Sequence, residues 1–152
     1  MIEKTQLRNL VKKVITDMDY YSPEAEELIL GTIAQESAGG KYLKQLGSGV
    51  AQGICQMEKA THDDIVENFL EYKRIIREDI IKASGVPYLD FKFLESNLAY
   101  SIAMCRAHYL RFPEAIPKTL EGQAAVWKRC YNTYLGAGTE EEYIRNYKKY
   151  VL

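Results

Sequence analysis

The sequence predicts a mainly α protein: a helical bundle around one buried central helix, with a small glycine-rich, β-hairpin-like loop beside it. Three observations carry this. Apolar residues recur at three- and four-residue steps through most of the chain. Helix-start signals with Ser, Thr or Pro precede several of these stripes. Between Lys41 and Met57 the periodicity fails, and Gly47, Gly49 and Gly53 cluster there. A chain of 152 residues suits one domain with a real core, covering 1–152.

The first stripe is Leu7, Leu10, Val11, Val14, Ile15 and Met18, with Arg8, Lys12, Lys13 and Asp17 opposite. Ser22-Pro23-Glu24 then combines an N-cap, a proline at the first helical position and an acid in the first turn. The helix it opens carries Leu28, Ile29, Leu30, Ile33 and Ala34, apolar on most sides. It is expected to be the buried central helix, stopped by Gly39-Gly40.

Glu36 falls in the last turn of that helix. A carboxylate there faces the negative end of the macrodipole, and burial penalises its charge. Both raise its pKa toward the protonated state that a general acid needs.

Val50 and Ile54 among the loop glycines suggest one or two short strands. Gly47-x-Gly49-x-x-x-Gly53 has the wrong spacing for a dinucleotide fingerprint, and a helix precedes it. Thr61-His62-Asp63-Asp64 has the form of a capping box. The helix after it runs through Ile65, Phe69, Tyr72 and Ile76, breaks near Arg74, resumes toward Ile80-Ile81 and ends at Ser84-Gly85-Val86-Pro87. Another begins near Glu95-Ser96-Asn97 and carries Leu98, Ile102, Cys105 and Tyr109 to Phe112-Pro113. Thr119 opens the next, with Ala124, Val126, Trp127 and Tyr131, broken by Gly136 and Gly138. Thr139-Glu140-Glu141-Glu142 caps a last helix through Tyr143, Ile144, Tyr147 and Val151.

Composition narrows the function classes. A formal net charge of −1 provides no global field for nucleic acid or an anionic membrane. No apolar window is long enough to span a bilayer, so stable membrane insertion is not expected. Three cysteines, Cys55, Cys105 and Cys130, make no disulfide framework. The N-terminus lacks a signal-peptide pattern, so synthesis in a reducing cytoplasm is expected. Cys105-x-x-His108 has one-turn spacing but no second pair, which favours core packing over a metal. His62 reads as a helix-start residue. Most of the twelve tyrosines read as core edges with a wet hydroxyl.

Glu36-Ser37, then Gly49-x-Ala51-x-Gly53-x-x-Gln56, Thr61 five residues on, and a later Tyr131-Asn132 together resemble the catalytic domain shared by soluble lytic transglycosylases and goose-type lysozymes. Glu36-Ser37-Ala38-Gly39-Gly40-Lys41 and Gln56-Met57-Glu58-Lys59-x-x-His62 resemble the goose-type branch most. The resemblance runs from about Ser22 to the final helix. It implies a lysozyme-like fold and cleavage of the β-1,4 bond between N-acetylmuramic acid and N-acetylglucosamine in the peptidoglycan glycan strand. It makes Glu36 the catalytic acid. It makes Ser37, Ser48, Gly49, Gln52, Gln56, Tyr131 and Asn132 substrate-binding or supporting residues. Tyr131 and Asn132 would face the cleft from the far side and help orient Glu36. No cofactor and no metal is called for.

The chain departs from that pattern. Glu58 stands where goose-type enzymes carry an aspartate that helps position water. A further aspartate expected near Gly47-Ser48 is missing. The Tyr-Asn pair is followed by Thr133-Tyr134. One secure carboxylate favours the lytic transglycosylase outcome, in which the substrate's own groups close a ring. A hydrolytic muramidase with Glu58 as second carboxylate is the alternative. A non-catalytic peptidoglycan-binding or structural module is another. The sequence fits action on the cell wall after release by a holin, a virion or a secretion system, with other virion or secretion-machine proteins as possible partners.

Overall fold

The structure is a computed structural model that describes residues 1–47 and 49–152. Helix α1, Lys4–Asp17, buries Leu7, Val11, Val14 and Ile15, the apolar stripe expected of it. Met18 completes the stripe just past the helix end. Helix α2, Pro23–Ser37, starts as its sequence dictates: Ser22 Oγ accepts from Ala25 N at 3.0 Å, and Pro23 occupies the first turn. Arg8 of α1 joins this start through its guanidinium, 2.6 Å from Glu26 and also paired with Glu27. Ten residues of α2 are buried, so it is a central helix.

Its stop begins one residue before Gly39. Ala38 adopts the left-handed conformation at φ 53°, and Gly39 and Gly40 continue it at 72° and 88°. A non-glycine residue there carries a steric cost, which the hydrogen bonds around this turn offset. Ser37 Oγ donates to Ile33 O and accepts from Gly40 N, each at 3.1 Å.

No strand pair forms among the described residues, so the β-hairpin expectation is corrected. The loop is held by two isolated antiparallel bridges, Lys44 to Gln52 and Gln52 to Met57. The reason is local. Gly53 at φ 85° and Gln56 at φ 49° turn the chain before a ladder can extend. Gly53 is also a close approach: a Cβ there would lie 2.6 Å from Leu94 O and Ser101 Oγ. Ile54 and Cys55 pin the loop to the core, whereas Val50 stays exposed.

Helix α3, Lys59–Asn68, starts three residues earlier than a capping box at Thr61 would place it. Glu58 is the N-cap and its side chain makes no capping bond, so Thr61 lies inside the first turn. The chain enters the helix straight from the bridged Met57, and that tertiary constraint overrides the local Thr-Asp signal. A single 3₁₀ turn, Leu70–Tyr72, makes the expected break before α4, Arg74–Ser84. Gly85 caps α4 at φ 77°.

A short α5, Phe93–Ser96, precedes α6, Leu98–Leu110, whose N-cap Asn97 accepts from Tyr100 N. Every residue of α6 from Tyr100 to Tyr109 is buried. The bundle therefore has two buried helices rather than one. Helix α6 is packed on several sides by α1, α2, α4 and α5, which is why its sequence shows almost no polar face.

Thr119 caps α7, Leu120–Val126, by accepting from Gly122 N. The chain then widens into a π-helical turn, Trp127–Asn132, and ends in Thr133 at φ 67°. This helical run stops at Asn132, ahead of the glycines expected to break it. Helix α8, Glu140–Tyr150, is capped by Thr139, which accepts from Glu142 N at 3.1 Å, and packs along α2. Among the described residues, no helix is long and apolar enough to cross a membrane. All three cysteines are free and buried.

Candidate active site

Glu36 lies at the penultimate position of α2, where that helix meets the π-helical turn. Its side chain lines a cleft of about 390 Å³. One wall is Gln56, Met57, Glu58 and Thr61, from the end of the loop and the start of α3. The other is Tyr131 to Thr133 with Leu135 and Gly136, from the π turn and the segment after it. A π turn is a common device at functional sites, because it re-aims side chains within a helix. Here the run from Trp127 to Asn132 supplies a residue that touches Glu36 and two that line the cleft.

The Trp127 indole Nε1–H donates to Glu36 Oε1 at 3.1 Å. Trp127 is fully buried, tilted against the ring of Tyr143 at 5.3 Å between centroids. Burial pushes the Glu36 carboxyl up from its ordinary 4.5 to about 7, and the Trp127 hydrogen bond opposes this to a lesser extent. With Oε1 engaged as an acceptor, the proton belongs on Oε2. A half-protonated carboxyl near neutrality can give a proton to a leaving oxygen and later take one back.

The remaining cleft groups are set by their partners. The Tyr131 hydroxyl donates to Cys55 O at 2.6 Å, tying the π turn to the loop, and its ring stacks on Tyr109. Gln56, at its positive φ, donates from Nε2 to Gly53 O at 2.9 Å. Glu58 is exposed at the N-cap of α3 and faces the same cleft as Glu36. His108 also borders the cleft, but both ring nitrogens are occupied. Nε2 donates to Cys130 O at 2.7 Å, and Nδ1 accepts from Arg111 Nη2 at 2.8 Å. Burial lowers its pKa to about 4, so it stays neutral and has no free nitrogen for base catalysis.

Several expectations need correction. Neither Tyr131 nor Asn132 hydrogen-bonds Glu36; Trp127 does. Asn132 lines the cleft but its Oδ1 accepts from Lys128 Nζ at 2.6 Å. Ser37 supports the helix end, as expected of it, but is fully buried and has no surface to offer a substrate. Gly49 lies against the Gln45 side chain and is not part of the cleft wall. Gln52 serves through its backbone, exchanging 2.9 and 3.0 Å bonds with Met57. It too is absent from the cleft wall, which the Gln56 to Thr61 stretch provides instead. Ser48 lies outside the described residues.

His62 and the Cys105–His108 pair are both built into the packing of α6. His62 Nε2 pairs with the Tyr100 hydroxyl at 2.7 Å and Nδ1 with Asp63 at 2.9 Å, pinning α3 to α6. Two residues that build the cleft escaped the sequence reading. Trp127 gave one signal, as the single tryptophan in the chain, next to a stretch already singled out. Lys128 gave none. Its ammonium donates to Asn132 Oδ1, Gly136 O at 3.1 Å and Gly138 O at 2.7 Å, and so organises the cleft lip. No family model, curated protein or solved structure matches the chain.

Proposed function

We propose that this protein is an enzyme that cleaves the glycan strand of peptidoglycan at the β-1,4 bond between N-acetylmuramic acid and N-acetylglucosamine, on a lysozyme-like helical frame. The observation that carries the reading is the carboxyl of Glu36: half-buried, titrating near 7, hydrogen-bonded by Trp127, and lining a cleft. The motif set around Glu36, Gln56 and Tyr131 supplies the substrate class.

In the favoured mechanism Glu36 acts alone. The proton on Oε2 passes to the leaving glycosidic oxygen as the bond to the muramic C1 breaks. The substrate's N-acetyl oxygen bonds to C1 and relieves the oxocarbenium-like charge. The muramic 6-hydroxyl then attacks C1, displaces that oxygen, and returns its proton to Glu36. The product is a 1,6-anhydromuramic end, and the enzyme is restored. No second carboxylate is needed, and burial, by holding Glu36 near 7, keeps it able to serve in both directions.

Glu58 on the same cleft supports a second reading, hydrolysis to a reducing end. There, Glu58 takes a proton from the attacking water while Glu36 protonates the leaving group. A phage lysin, a virion part or a secretion accessory would each suit such an activity.

The test is digestion of purified cell wall by the isolated protein, with mass spectrometry of the fragments. Anhydromuramic ends are expected, and Glu36→Gln is expected to abolish them while remaining folded. Reducing ends would assign the hydrolytic route and Glu58. Binding of glycan without cleavage by the parent protein would replace both with a non-catalytic module.

A further inference from the structure

On the face where α2 begins, divided from the Glu36 cleft by the stacked rings of Tyr109 and Tyr131, lies a second cavity of about 500 Å³. The two ends of a 15-residue helix are about 20 Å apart, so the two cavities do not merge. Its polar lining is Ser22, Glu24, Arg106, Tyr109, Glu114 and Lys118.

Arg106 is the unusual member. It comes from the fully buried helix α6 and is 9% exposed. Its Nε donates to Tyr20 O at 3.1 Å, and that is the one hydrogen bond its guanidinium makes among the described residues. No carboxylate among them lies within salt-bridge distance of it. Burial accordingly lowers its proton affinity, the mark of a desolvated charge without a counter-ion. The Tyr20 ring also lies against the guanidinium, 5.9 Å from Cζ, and the two amino groups stay open to the cavity with no protein acceptor among the described residues.

The surroundings complete an anion site. The N-terminus of α2 opens onto the cavity at Ser22 and Glu24, which favours negative charge. Ser22 Oγ accepts from Ala25 N, leaving its own hydrogen to donate. Glu114 is engaged by Arg129 at 2.5 Å. Arg106 and Lys118 set against Glu24 leave one uncompensated positive charge. Phe112, Pro113 and Ile116 make the remaining wall apolar.

We propose that this cavity binds a carboxylate monoanion carrying an apolar body, with the carboxylate held by the fork of Arg106 and the Ser22 hydroxyl. A planar carboxylate matches the guanidinium bidentately. A phosphate dianion would leave excess charge facing Glu24. The proposal is independent of the chemistry at Glu36.

The Arg106 Nε–Hε signal, protected by its bond to Tyr20, is the reporter in protein labelled with ¹⁵N-arginine. Its assignment follows from its loss in Arg106→Lys. Titration with N-acetylleucine is expected to shift it saturably, at a dissociation constant of about 1 mM or tighter. N-acetylleucinamide, lacking the charge, is expected to bind at least about tenfold more weakly. Ala115→Asp, at an exposed position on the same wall, is expected to weaken the acid by a similar factor in a fold with the parent's melting temperature. No shift with the acid overturns the proposal. So does equal binding of acid and amide, tighter binding of inorganic phosphate, or unchanged affinity in Ala115→Asp.

Discussion

The indole Nε1 of Trp127 reaches across from the π-helical turn to Glu36 Oε1 at 3.1 Å, 91 residues away in sequence. That bond couples the end of α2 to the cleft's far wall. It also sets a limit on how far burial can raise the carboxyl, because a donor to Oε1 favours the charged form. Trp127→Phe keeps most of the ring packing against Tyr143 and removes the donor. A hydrogen bond to a charged group contributes roughly 1.5–3 kcal/mol, or about one to two pH units of titration. The Glu36 carboxyl is expected to titrate above its present value of about 7. The alkaline limb of the activity profile should move up with it, by about one pH unit. An unmoved limb in a folded variant would show that the bond does not tune Glu36.

Glu36 also makes fold stability depend on pH. Its carboxyl titrates near 7 in the native protein and at an ordinary 4.5 when exposed. Between those values the native chain holds a proton that the unfolded chain has released, so stability falls as pH rises. The contribution is fully present below 4.5 and is lost as pH passes through about 7. The interval corresponds to at most roughly 3 kcal/mol. Glu36→Gln keeps the shape and an acceptor for Trp127 while never charging. The variant is expected to be more stable than the parent at pH 8 by up to about 3 kcal/mol, and nearly equal at pH 4. Urea denaturation at the two pH values checks both.

Gly31 tests the packing beneath the site. It lies inside α2, where alanine is favoured over glycine by about 1 kcal/mol. A Cβ there would lie 2.0 Å from the Tyr143 hydroxyl, which donates to Leu28 O at 3.2 Å. Steric overlap in a full core costs about 1–3 kcal/mol, and here the ring must also give up its hydrogen bond. The clash wins, and Gly31→Ala is expected to lower the melting temperature despite its better propensity. Gly31→Ala with Tyr143→Phe should recover only a small part of the loss, because removing the hydroxyl relieves the 2.0 Å contact and leaves a ring carbon at 2.3 Å.

What could be read in the sequence was whatever a few neighbouring residues decide. Ser22, Thr119 and Thr139 each cap a helix through a donor three residues on, and Glu36 sits at a helix end because glycines follow it. The failures have a different origin. The Thr61 signal lost to the bridge that carries Met57 into α3 three residues early. The hairpin lost to the turns at Gly53 and Gln56. Trp127 as the partner of Glu36 depends on a wide helical turn and on α8 packing behind it, and nothing within ten residues of either side chain encodes that meeting. The second buried helix, α6, was read as a helix, but its central place depends on neighbours from four other elements.

Lys128 is the last consequence of that turn. Its three donors meet three oxygens: Asn132 Oδ1 at 2.6 Å, Gly136 O at 3.1 Å and Gly138 O at 2.7 Å. Asn132 and Gly136 line the cleft, while Gly138 backs Trp127, with room for no Cβ there because it would lie 2.7 Å from the indole. Lys128→Met retains the stem and removes all three donors. The lip from Thr133 to Gly138 then loses its only side-chain tether among the described residues, at a cost of about 1–3 kcal/mol. Glu36 and its bond to Trp127 are not touched, so the chemical step should survive. The expected result is a KM several-fold higher for glycan strands, with kcat changed less and the pH profile unmoved. Lys128→Arg should rescue only in part, because a planar fork cannot point at three converging oxygens as an ammonium does. A fall in kcat with KM unchanged would instead mean that the lip positions the bond to be broken rather than the strand.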